Sequence, residues 1–96
     1  MTPANAAALA NLTALRAAAR KGLEAVNAAS ENGTTADWMA ARAACRPLCD
    51  AARIEEERIV AAGFGGDTDF EFAVLGRLGR RHTNPVMVTW TDLRAG

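Results

Sequence analysis

A chain of 96 residues has room for one domain, and at that size about two-thirds of the unfolded surface can be buried without help from disulfides. Eleven lysines and arginines balance eleven acids, so the net charge offers no general attraction to nucleic acid or an anionic membrane. No apolar run approaches the ~18–20 residues of a membrane span, and the segment Met1 to Val26 lacks the charged-then-apolar order of a secretory signal. Arg16, Arg20 and Lys21 precede the first acid, Glu24, a bias shared with organelle transit peptides, but the leucines between them fit packing in the mature fold. The expectation is therefore a cytoplasmic protein.

Half of the residues are hydrophobic, yet only two Trp and three Phe are among them, and alanine supplies much of the rest. A core of alanines gains stability where helix backbones approach toward the short end of the ~8–10 Å interaxial range, or where more surface is buried between subunits. Both are expected here.

Pro3 suits a helix entry, and alanine and leucine give the region from 4 to 30 strong helical propensity. Leu9, Leu12, Leu15, Ala19, Leu23 and Val26 form its apolar stripe. Gly22 costs roughly 1 kcal/mol against alanine in a helix interior. It admits two readings: close approach of another helix over Ala19 and Gly22, or a point of fraying. Ser30, Asn32 and Gly33 then form a turn short enough to make the flanking helices an antiparallel hairpin.

The second helix is predicted over 35–62. Thr34 and Asp37 have the spacing of a capping box, and Gly63 closes the helix. Trp38, Ala41, Cys45, Leu48, Ala52 and Ile59 recur at helical steps and are expected to face inward. Pro47 removes a donor and crowds the carbonyl of Ala43, a cost of ~3 kcal/mol. A kink is predicted rather than a break, because Arg46 cannot cap a new helix. Glu55, Glu56, Glu57 and Arg58 read as a solvated face, since no histidine follows at the spacing of a bundle metal site.

In the loop GFGGDTD, Thr68 is expected to cap a third helix with Glu71 as its capping-box partner. Asp67 and Asp69 look like the paired acids of metal-dependent transferases or phosphatases. Without a strand-rich nucleotide-binding context they read instead as caps and turn formers. Phe70, Val74 and Leu78 lie on a helical stripe, while Phe70, Phe72 and Val74 alternate as in a strand. The capping box decides for a helix over about 69–79, which the glycines at 76 and 79 weaken and end. Asn84 and Pro85 form a turn, and Val86 to Trp90 is the one β-like run. A lone strand must pair with another segment, another subunit or an external partner.

Candidate chemistry is sparse. Cys45 and Cys49 share a helix face, but a structural zinc site takes four ligands and only His82 accompanies the thiols. Small apolar core residues in a reducing compartment is the better reading. Arg77, Arg80, Arg81 and His82 form the densest basic cluster and suit phosphate or acidic-protein contacts. With Val86, Val88 and Trp90 they are the candidate partner-binding residues. No catalytic residue, cofactor or metal is expected.

The sequence thus predicts a mainly α protein: a long antiparallel hairpin of helices over 4–30 and 35–62, kinked near Pro47, a short third helix and a C-terminal β segment over 86–90. The expected function is a non-enzymatic protein–protein interaction module, homodimeric through hairpin packing, serving as adaptor, structural component or inhibitor. Its small, neutral, motif-free character suits a phage or mobile-element gene. The alternative is a small nucleic-acid-binding regulator using the cluster from Arg77 to His82.

Overall fold

The computed structural model describes residues 1–76. Three helices follow in chain order: α1 over Pro3–Asn32, α2 over Thr35–Ala62 and α3 over Thr68–Leu75. No strand occurs among the described residues. The β segment predicted over 86–90 lies outside them, as do Leu78 and the seven candidate residues Arg77, Arg80, Arg81, His82, Val86, Val88 and Trp90.

Each helix start is held by a short polar side chain accepting from an orphan backbone N–H. Thr2 accepts from the Asn5 N–H at 3.1 Å, with Pro3 in the first turn. The capping box of α2 is complete. Thr34 Oγ1 accepts from the Asp37 N–H at 3.1 Å, and Asp37 Oδ2 accepts from the Thr34 N–H at 3.0 Å. The α3 cap corrects the sequence expectation by one residue. Asp67, not Thr68, is the N-cap, its Oδ1 accepting from the Phe70 N–H at 3.1 Å. An ionised carboxylate accepts more strongly than a hydroxyl, and Thr68 becomes the first helical residue.

The third helix is also shorter than predicted. Gly76 takes φ 79° and ψ −1°, and its N–H donates to the Phe72 carbonyl at 2.7 Å. This left-handed conformation suits glycine and closes the helix there. By contrast α2 runs through Pro47 without a break.

The hairpin of α1 and α2 is stabilised by two clusters. Near the turn, Ala19 and Val26 of α1 meet Cys45, Cys49 and Ala52 of α2, flanked by the partly buried Leu15, Leu23, Trp38 and Ala41. At the other end, Leu12 and Ile59 meet Phe70, Val74 and Leu75 of α3. Phe64 in the connecting loop packs its ring edge-on against Phe70 at 5.7 Å.

Two expectations about the faces of α2 need correction. Leu48 is 37% exposed, whereas Cys49 is fully buried. The buried line Cys45, Cys49, Ala52, Glu56, Ile59 advances by alternate steps of four and three, so Leu48 falls to one side of it. Glu56, assigned to a solvated face, is only 4% exposed. Gly22 resolves in favour of close approach: a Cβ there would lie 2.9 Å from Cys45 Sγ and 3.3 Å from Cys45 Cα.

Candidate partner-binding surface

The two broad sides of the hairpin differ because α3 covers only one of them. On that side Arg16 reaches across from α1, its Nη2 donating to Glu56 Oε1 at 2.5 Å and to the Val74 carbonyl at 2.9 Å. The Val74 carbonyl belongs to the last turn of α3 and has no further turn to bond. One guanidinium therefore neutralises a buried carboxylate and satisfies a helix end. Their side chains are 14% and 5% exposed, which makes this a largely desolvated pair.

Asp67 fixes the other end of α3. While Oδ1 caps α3, Oδ2 accepts from Asn5 Nδ2 at 2.9 Å and from the Thr2 N–H at 3.2 Å. These bonds, that from Asn5 first, hold the carboxyl below its ordinary range. Asp67 thereby joins the start of α3 to the start of α1.

The opposite broad side has no third helix over it among the described residues. Two contacts define it: Leu48 Cδ1 lies 3.2 Å from where a Gly22 Cβ would be, and Asn11 of α1 hydrogen-bonds Glu55 of α2. Around these, helical spacing places Ala14, Ala18 and Ala25 of α1 beside Ala44 and Ala51 of α2. Ala14, Ala25 and Ala44 are exposed, and Ala18 and Ala51 are half-buried. The result is a flat, alanine-rich surface that one large apolar side chain, Leu48, partly fills. At its far end Arg58 pairs with Glu55, and the hydrogen bond from Arg58 is the main cause of the lowered Glu55 pKa.

The thiols lie between the helices. Cys45 Sγ and Cys49 Sγ are 3.6 Å apart, and Cys45 Sγ sits 4.0 Å from the Ala19 carbonyl. Burial, then the hydrogen bond with Cys45, pushes the Cys49 thiol up to about 12. A thiol so protonated is a poor nucleophile and metal ligand. No group of three metal-ligating side chains forms among the described residues, and none of their helices is long and apolar enough to cross a membrane.

Two shallow depressions lie near the turn. One, of about 210 Å³, is lined by Ala29, Ser30, Gly33, Thr34, Thr35 and Trp38. The other, of about 270 Å³, lies among Trp38, Met39, Arg42 and Arg46, where the Arg42 guanidinium stacks 5.3 Å from the Trp38 ring centre. Compared with family models, curated proteins and solved structures, the chain matches none.

The face left open by the described residues was hidden from the sequence because the stripe expectation assigned each helix a single apolar side. The available signal was the second run of alanines at steps of four and seven residues: 14, 18 and 25 on α1, and 44 and 51 on α2. The partner of Glu56 was hidden for another reason. Arg16 is 40 residues away, and no local pattern links the two.

Proposed function

We propose that this chain is a non-enzymatic protein–protein interaction module that works as a homodimer, in the role of an adaptor, structural component or inhibitor. The observation that carries this reading is the small-residue face of the hairpin that no helix covers among the described residues. Away from α3 the described residues form a helix pair one layer thick, which buries each helix on one side only, and domains gain stability from a second layer. In the half nearer the turn, no side chain larger than Val26 is buried. Closing that face with more helix would supply the missing layer.

Both depressions fall below the ~300–1,000 Å³ of small-molecule sites, which also favours a binding surface over a pocket. Light scattering across a concentration series tests the reading. A mass of twice the chain at micromolar concentration is expected, and a monomer throughout the series would refute homodimer function.

A further inference from the structure

We propose that Asn32 is a site of spontaneous deamidation, reached by fraying of the last turn of α1, and that the isoaspartate formed there loosens the turn between the two long helices. Asparagine is a thermolabile residue, and it reacts fastest where the next residue has no side chain to screen its backbone nitrogen. Asn32 with Gly33 is the one such pair in the chain.

The fold keeps that pair together. Gly33 has an extended backbone, φ −101° and ψ 179°, which any residue adopts, so glycine is required here for space. A Cβ would lie 2.8 Å from the Ala29 carbonyl oxygen and 3.2 Å from Ala29 Cα, and backbone atoms cannot swing aside as a side chain does. The short connection that folds the hairpin therefore demands the residue that leaves Asn32 open to attack. Asn32 is itself exposed, as are Glu31 and its neighbours up to Asp37, so water reaches the amide.

Water is the only co-reactant. The Gly33 nitrogen loses its proton to hydroxide and attacks Asn32 Cγ. A C–N bond closes a cyclic imide, the Cγ–Nδ2 bond breaks, and ammonia leaves. Water then opens the imide at either carbonyl, giving aspartate or isoaspartate. In isoaspartate the main chain runs through Cγ and is longer by a methylene.

In the closed turn the Gly33 N–H donates to the Ala29 carbonyl at 2.9 Å, so attack waits for that bond to open. Helix ends fray most readily. This end has no basic residue in its last turn, and Glu31 sets a negative charge against the negative end of the helix dipole. Asn5, Asn11 and Asn27 differ on both counts: they lie inside α1 and precede Ala6, Leu12 and Ala28. Asn5 also donates its side-chain amide to Asp67.

The product acts on the hairpin through the same contact. A longer chain at 32 displaces Gly33 from its fit against Ala29, and the new carboxylate adds a second unfavourable charge beside Glu31. Thr34, the cap of α2, follows at once.

The test is mass spectrometry of the full chain, incubated folded at mildly alkaline pH and then digested, with isoaspartate read by methyl uptake from S-adenosylmethionine in the presence of an isoaspartate methyltransferase. The peptide holding Asn32 should gain the mass difference between an amide and a carboxyl, while those holding Asn5, Asn11 and Asn27 do not. Methyl label should appear at residue 32, and amide exchange should quicken from Gly33 to Trp38. The rate should stay level in guanidinium below the unfolding transition, because fraying exposes little surface. Glu31→Lys should lower the folded rate, relative to the same variant unfolded, by at least about 2-fold.

An Asn32 that keeps its amide in the folded chain, over a period in which the unfolded chain loses it, would overturn the site. A rate that climbs with the first additions of guanidinium, or a ratio that Glu31→Lys leaves unchanged, would overturn the fraying route. Methyl label without quicker exchange would overturn the effect on the turn.

Discussion

At the α3 end of the hairpin, Leu12, Ile59, Phe70, Val74 and Leu75 close a three-helix core, whereas toward the turn the same two helices meet over Ala19, Val26, Cys45, Cys49 and Ala52. The first end is stabilised by apolar area, at ~25 cal/mol per Å² removed from water. The second relies on close contact, with Gly22 permitting Cys45 to sit where a Cβ would be. One pair of helices therefore uses two packing strategies, and the difference follows side-chain size. The two ends should respond differently to substitution.

Glu56 stands at the junction of the two, and its removal should have the largest effect. Glu56→Ala leaves Arg16 buried without its carboxylate, an expected loss of ~3–5 kcal/mol in urea unfolding. Replacing both partners together, Arg16→Met with Glu56→Leu, should cost clearly less. Equal losses would mean that the bond from Arg16 to the Val74 carbonyl, not the ion pair, is the important contact.

Leu12→Ala should follow at ~2–5 kcal/mol, because a fully buried side chain leaves a cavity. At the turn end the corresponding truncation, Ala19→Gly, should cost only ~1 kcal/mol. Similar values at the two sites would break the contrast between the ends.

Gly22→Ala sharpens it from the other direction. In an open helix that change stabilises by ~1 kcal/mol, but here the new methyl meets Cys45. A net loss of ~1–2 kcal/mol is expected from overpacking, reduced in a Cys45→Ala background. A gain in stability would show that the helices separate at no cost.

Proton linkage gives the smallest effects. Asp37 and Asp67 have pKa values lowered from 3.8, chiefly by bonds with Thr34 and Asn5 respectively. Their contribution is present above the ordinary value and is lost as pH falls through the folded one. Asp67→Asn should blunt acid unfolding and speed amide exchange in α3. Asp37→Asn should act on the first turn of α2. Cys49 is shifted the other way, from 9.0 to about 12. Its contribution is complete below pH 9 and declines as pH rises toward 12, so Cys49→Ala should flatten the alkaline limb of a stability profile.

The candidate surface was only partly legible in the sequence. The candidate residues from Arg77 to Trp90 lie outside the described residues, and the face argued above came from exposure and from contacts between helices. Leu48 illustrates why. Its spacing suits the inner stripe, but two helices expose a narrow contact line, and Cys49 fits closer to its centre.

By itself the sequence determined the two long helices and where they begin and end: Pro3, the Thr34–Asp37 box and Gly63 act through backbone groups within a turn or two of themselves, so local order suffices. It also determined the hairpin, because the turn at Gly33 is too short for any but an antiparallel neighbour. Only the tertiary structure decided that Glu56 is buried, that Arg16 closes α3, that Asp67 fastens α3 to the start of α1, and which side of the hairpin α3 covers. Those outcomes depend on groups brought together from distant parts of the chain, whose charge and hydrogen-bonding needs are met only once the helices have packed.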